Sequence, residues 1–232
     1  MRFKINFLVL AAIKLQLVSF IAADPKVFQA DNIHHDLFGS DSKYNKMTIP
    51  TDPGSILNVR TNMVLTDINN FDSINQHLSF LAWIRLNWYD QRLTWNPEDY
   101  GGVKSIRVDD DKIWIPDLTL YNSADGLAYL TEGDQPAVRV YFDGEIRWTP
   151  IVLYTITCPM TLEFFPFDMQ LCHAKFGSWV HGMDTVHFEL TSDKMDVSKF
   201  EDNNVWYLRD VLALDFIETY DEGRFQAGLT SS

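Results

Sequence analysis

The sequence predicts an all-β fold: an antiparallel β-sandwich of about ten strands after one short N-terminal helix. Three observations carry that prediction. Residues 57–63 and 82–88 alternate apolar and polar side chains with a period of two, as half-buried strands do. Asp143-Gly144 lies between two further runs and is the strongest short-range hairpin signal in the chain. Strand-like runs and turn residues then recur at short intervals, with no repeat, heptad or low-complexity tract.

Residues 1–23 read as a secretory signal. Arg2 and Lys4 make a positive start, Ile5 to Ile13 form an apolar run, and Ile21-Ala22-Ala23 precede Asp24. Lys14 leaves the run too short and too charged for a membrane span. Residues 24–232 then form one domain of about 209 residues with no linker to divide it. The formal charge of −13 becomes about −16 once the signal is gone. Such a surface repels nucleic acid and anionic lipid and favours cations, so no nucleic-acid partner is expected. No later segment has eighteen consecutive apolar residues, so a membrane enters only if a channel domain is missing from this chain. No Asn-X-Ser/Thr sequon occurs, and N-glycosylation is not expected.

Val27 to Gly39 has a helical pattern: Val27, Ile33 and Leu37 share a face and Gly39 stops it. Pro50 and Pro53 mark a loop. The first strand places Leu57, Val59, Thr61 and Met63 on one face. In the next, Ala82, Ile84, Leu86 and Trp88 form a core face, which leaves Trp83, Arg85 and Asn87 on the other side. A large aromatic on the polar face suits a subunit contact, a ligand, or a cover for neighbouring strands. Pro116 keeps the run from Lys112 to Asp125 off a central strand, and Tyr121-Asn122-Ser123 reads as an ordered turn. Residues 137–149 make the hairpin, carrying Arg139 and Arg147 as solvated strand charges. Phe176 to His181 is a glycine-bearing turn with Trp179. A last strand from Val205 to Ile217 runs into a polar hairpin tip at 218–225.

The only two cysteines, Cys158 and Cys172, bracket Phe164-Phe165-Pro166-Phe167-Asp168. They read either as two buried thiols or as a staple, which would close a loop of about fifteen residues and stabilise the fold by roughly 3 kcal/mol. An aromatic residue before Pro166 favours a rigid turn there.

No phosphate loop, nucleophile elbow or zinc spacing is present, so no catalytic residue, cofactor or metal is expected and the chain reads as a non-enzyme. His34-His35 point in two directions on any regular element. Asp109-Asp110-Asp111 read as a solvated acidic turn.

With these pieces in place, residues 27–225 resemble the ligand-binding domain of the Cys-loop (pentameric ligand-gated ion channel) superfamily. In pattern they are like nicotinic receptor extracellular domains and the soluble acetylcholine-binding proteins. The motifs that carry the likeness stand in order. They are Trp83-Ile-Arg-Leu-Asn-Trp88 with Trp95, Trp114-Ile-Pro-Asp-Leu-Thr-Leu-Tyr121, Asp143-Gly-Glu-Ile-Arg-Trp148-Thr-Pro150, the cysteine-bracketed loop, and Phe176-Gly-Ser-Trp179.

The resemblance implies a Cys158–Cys172 disulfide, an extracellular or secreted location, and a ring-shaped pentamer, taken here as a homopentamer. It places a small neurotransmitter-like ligand between neighbouring subunits. Tyr121, Trp179, Tyr220 and Phe225 are expected on the principal face of that site, and Trp83, Arg85, Arg147 and Thr149 on the complementary face. Aromatic faces attract an ammonium group by roughly 0.5–2 kcal/mol each, which fits a cationic ligand. Two departures open alternatives. Tyr220-Asp221-Glu222-Gly223 stands where nicotinic α subunits carry adjacent cysteines. Arg85 stands where amino-acid-gated members hold a carboxylate, so a zwitterionic ligand held by Arg85 and Arg147 is the second reading. An orphan member with a degenerate site is a third, and an adhesive sandwich without a ligand is a fourth.

Overall fold

The computed structural model describes residues 25–126, 128–130, 136–164, 167–201, 207–220 and 223–228. The signal at 1–23 and the Phe165–Pro166 turn lie outside the described residues. So do the side chains of Val27, Tyr220 and Phe225.

Helix α1 spans Pro25–Phe38. Ile33 is fully buried and Leu37 packs partly against the core. The helix stops because Gly39 donates its N–H to His35 O at 2.8 Å. A Cβ on Gly39 would sit 2.3 Å from that oxygen, so the close approach needs glycine.

Two sheets follow. The first holds seven strands: β1 (Leu57–Asp72), β2 (His77–Thr94), β3 (Ser105–Val108), β6 (Val138–Tyr141), β7 (Asp143–Trp148), β8 (Ile151–Thr157) and β10 (Val186–Leu190). The second holds β4 (Leu118–Leu120), β5 (Ala128–Tyr129), β9 (Phe176–Ser178), β11 (Asp215–Tyr220) and β12 (Gly223–Gly228). The first sheet is ordered β10-β1-β2-β7-β6-β3, and the second β11-β12-β9-β4-β5. Strand β2 is long enough to take two neighbours on one side. His77 to Trp83 pair with β8, and Leu86 onward pair with β7.

The alternation expected of β1 and β2 is realised. Val59 and Met63 turn inward, as do Ala82, Ile84, Leu86 and Trp88, none more than 2 % exposed. An aromatic chain crosses between the sheets: Phe80 meets Tyr154 at 5.5 Å, and Tyr154 meets Phe176 of β9 edge-on at 5.1 Å. Burial of this kind supplies the main stabilisation, at about 25 cal/mol per Å² of apolar surface. Cys158 and Cys172 form a disulfide with Cα atoms 5.1 Å apart. The Cys158 N–H donates to Gln76 O at 2.7 Å, which ties that loop to the β1–β2 turn. At the β6–β7 tip Gly144 has a φ of 83°, and an added Cβ there would lie 2.7 Å from Asp90 O.

The structure departs from the sequence reading in three places. The β1–β10 pair is parallel, over Leu57–Thr61 against Val186–Leu190. The chain crosses to the second sheet for β9 and returns in the direction of β1, the kind of long crossover a parallel pair requires. Pro116 is outside any strand, yet β4 begins at Leu118 and lies between β9 and β5. Of the strand expected from Val205, residues 205 and 206 lie outside the described residues and 207–214 are not strand; it begins at Asp215, and before it Leu212 makes an isolated bridge to Lys194 while Val211 and Ala213 are buried. No helix among the described residues is long and apolar enough to cross a membrane.

Candidate functional site

Trp179 is the first residue past β9, and half of its surface (51 %) is exposed. Its position is set from below by Asp117. One carboxylate oxygen of Asp117 accepts the N–H groups of Trp179 at 2.9 Å and Val180 at 2.7 Å; the other accepts the Ser178 hydroxyl at 2.7 Å. Ser178 Oγ in turn accepts the His181 N–H at 2.8 Å. Bonds to an ionised acceptor are roughly twice as strong as neutral ones, so this turn is held firmly. Tyr121 leans on the indole from the end of β4, ring centroids 6.0 Å apart and planes at 70°. The Tyr121 hydroxyl donates to Ser178 O, and its N–H donates to Lys175 O at 2.8 Å. Asn122 closes the same turn by bonding His173 O and the Lys175 N–H.

The β11–β12 hairpin is joined to this edge. Ala227 of β12 pairs with Gly177, two residues before Trp179. The register sets Tyr220 opposite Gly223 at the end of the hairpin and Phe225 opposite Glu218. The tip, Asp221-Glu222, is outside the described residues.

The other candidates sit on the outward face of the first sheet. Trp83 is half-buried there, opposite Val64 of β1 and Ile151 of β8. Arg85 is exposed and pairs with Asp196 at 3.3 Å. The Ser198 hydroxyl and N–H, followed by the Arg85 guanidinium, hold the Asp196 carboxyl below its usual range. Arg147 bonds Glu145 at 2.8 Å and lies 4.6 Å over the Tyr141 ring. The hydrogen bond to Glu145 makes the Arg147 guanidinium hold its proton more tightly than usual. Thr149 follows β7 and is half-buried.

The principal-face candidates therefore ride on the second sheet and the complementary ones on the first. Sequence reasoning missed Asp117, Asp196 and Glu145. The one available signal for Asp117 was its place in Trp114-Ile-Pro-Asp117; nothing local marks Asp196 as the partner of Arg85, 111 residues away. No group of His, Cys, Asp and Glu among the described residues is arranged to hold a metal.

Comparison with known proteins gives a consistent picture. The family model described as the neurotransmitter-gated ion-channel ligand binding domain matches residues 30–227. Neuronal acetylcholine receptor subunit alpha-6 of Gallus gallus is 36 % identical over 195 residues, covering 84 % of this chain and 38 % of that subunit. The Homo sapiens alpha-6 subunit is 36 % identical over 181 residues, 78 % of this chain and 36 % of that one. The alpha-5 subunit of Gallus gallus is 39 % identical over 150 residues, 65 % of this chain and 32 % of that one. The chain thus spans well under half the length of these curated relatives.

Proposed function

The chain belongs to the neurotransmitter-gated ion-channel ligand-binding domain family, and from that membership we propose that it binds a small cationic ligand in an aromatic cage between neighbouring copies of a ring of five. Tyr121, Trp179, Tyr220 and Phe225 form the principal half. Trp83, Arg85, Arg147 and Thr149 of the next copy form the complementary half. The family's work is binding, on the extracellular side, and no catalysis is assigned to the chain. Residues 1–23 are read as the signal that directs export.

The observation that carries the proposal is the half-exposed Trp179 indole, braced by Tyr121 and by Asp117. An indole face fixed at the surface is the best aromatic seat for an ammonium group. The two halves lie on different sheets, which suits a site completed by a second copy. The arginines support the cationic reading over the amino-acid one, since Arg85 and Arg147 are already paired with Asp196 and Glu145. A carboxylate ligand would have to displace those partners.

Whether the domain acts as a soluble binding protein or within a channel subunit turns on the disulfide loop. Leu162, Phe164, Phe167, Met169 and Leu171 are all exposed there. An apolar surface of that kind is kept for a partner, and it supports the channel-subunit reading.

Calorimetric titration of the size-confirmed assembly with acetylcholine, nicotine, glycine and glutamate tests the proposal. Saturable heat with the amines alone supports the cage. Heat with the amino acids alone would transfer the site to Arg85 and Arg147.

A further inference from the structure

The last turn of α1, the 40–48 loop and the short 3-10 turn at Asp110–Lys112 frame a cavity of about 510 Å³. That volume falls in the range of small-molecule sites, about 300–1,000 Å³. Its wall is aromatic. His34 and Phe38 stand one turn apart on α1 with ring centroids 6.1 Å apart, and Phe38 meets Tyr44 edge-on at 5.7 Å. Tyr44 is firmly held. Its hydroxyl donates to Asp90 at 3.0 Å and accepts the Trp114 N–H at 3.0 Å, and the Arg92 guanidinium lies 4.7 Å over its ring. None of these residues belongs to either half of the cage.

The rim is basic. Lys46, Lys112 and His35 line the cavity, and among the described residues no Asp or Glu does so. Such a cluster stands out in a chain with 32 acids to 19 lysines and arginines. Lysines near a helix C-terminus ordinarily serve its negative pole, but these do not bond there. His35 O accepts the Gly39 N–H and Leu37 O accepts the Ser42 hydroxyl, so those carbonyls are engaged without them. Both ammonium groups are instead gathered at the 109–112 turn: Lys46 donates to Asp111 O at 2.6 Å, and Lys112 pairs with Asp109 at 3.1 Å. An ammonium has three N–H donors, so each keeps donors to spare. The Lys112–Asp109 pair is exposed on both sides and therefore weak. We propose that this cavity is a second ligand site, for a small aromatic carboxylate, with the ring among His34, Phe38 and Tyr44 and the carboxylate on Lys46 and Lys112. A flat ring matches the aromatic wall, and charge-assisted hydrogen bonds from the lysines fix the acid group. The preferred charge is opposite to that of the cage, so the two sites are separable.

The test is a titration of the full chain with naphthalene-2-carboxylate, followed by saturation-transfer NMR at about 0.05 M salt, where exposed charges are weakly screened. The wild type is compared with Lys46→Gln/Lys112→Gln, with Phe38→Leu and with Trp179→Ala. Circular dichroism confirms that each variant is folded, and the single lysine variants carry the test if the pair is not. The expected result is saturable binding to the wild type, at least tenfold weaker in the lysine pair, several-fold weaker in Phe38→Leu and unchanged in Trp179→Ala. Naphthylmethylamine, the same ring with the opposite charge, should not compete in Trp179→Ala, where the cage is removed. No saturable binding, or equal binding by the lysine pair, overturns the site and leaves the cage standing. Equal affinity for cyclohexanecarboxylate or inorganic phosphate overturns it as well, because a charged patch then accounts for the binding. Loss of binding in Trp179→Ala would transfer the carboxylate to the cage and also overturn the site.

Discussion

Asp117 accepts the backbone N–H of Trp179 at 2.9 Å, and this bond fixes where the exposed indole stands. Asp117 is thus a positioning residue for the proposed cage. Replacing it with alanine frees the Trp179 and Val180 N–H groups and the Ser178 hydroxyl together. Bonds to charged groups contribute roughly 1.5–3 kcal/mol each. Asp117→Ala is expected to lower the melting temperature and to weaken amine binding by about tenfold or more. Asp117→Asn keeps an acceptor and should recover part of both. Thermal melts beside calorimetry check this; a variant that melts early yet binds normally would leave Asp117 with a structural role alone.

Arg85 is paired with Asp196 on an exposed face, and an exposed pair contributes at most about 1 kcal/mol. Arg85→Gln should therefore leave amine affinity within about threefold. The Asp196 carboxyl has a depressed pKa when folded, so its contribution is present above the unfolded value of about 3.9. That contribution fades as pH falls through the lower, folded value. Melting curves in acid should show a shallower decline for Asp196→Asn than for the wild type. A loss of amine binding beyond tenfold in Arg85→Gln would favour the amino-acid reading.

The Cys158–Cys172 disulfide closes a loop of sequence separation 14. Constraint of the unfolded chain by a loop of this length is worth about 3 kcal/mol. For a domain of this size, each kcal/mol shifts the melting temperature by about 2–4 °C. The double variant Cys158→Ser/Cys172→Ser should melt roughly 6–12 °C lower by differential scanning calorimetry. An unchanged melting point would mean that the loop is already ordered when unfolded.

Asp90 is fully buried and held by Arg92 at 2.8 Å through both carboxylate oxygens, with the Tyr44 hydroxyl at 3.0 Å. Tyr44 also accepts the Trp114 N–H, so the cluster joins the 44–48 loop to β2 and to the segment leading to Asp117. Arg92 is exposed and Asp90 is not, so the stranded charge is the carboxylate left when Arg92 is removed, and leaving such a buried charge unpaired costs about 3–5 kcal/mol. Arg92→Leu is expected to destabilise by about that much, and Asp90→Leu/Arg92→Leu by less. Urea denaturation of the two variants distinguishes a pair held for stability from one held for register.

Much of the fold was legible because period-two alternation reports burial directly. Leu57, Val59, Thr61 and Met63, and likewise Ala82, Ile84, Leu86 and Trp88, are buried as their pattern requires. Alternation cannot tell a strand from an irregular segment packed the same way, and the run before Asp215 was misread for that reason. Parallel pairing of β1 with β10 left no local mark, since it is set by a crossover more than a hundred residues long. The aromatic candidates were legible as motifs. Their supports were not: Asp117 acts on Trp179 from 62 residues away, and Asp196 meets Arg85 across 111. Such contacts exist only once the chain is folded.

The central claim is that the Trp179 ring holds a cation at a contact between copies. The most direct measurement is the calorimetric affinity for acetylcholine of wild type and Trp179→Ala, both sized by light scattering. The account predicts saturable binding to the assembled wild type. It also predicts loss of at least tenfold, near 1.4 kcal/mol, in a variant that still folds and assembles. Equal affinity in the variant, or undiminished binding to a monomer, would contradict it.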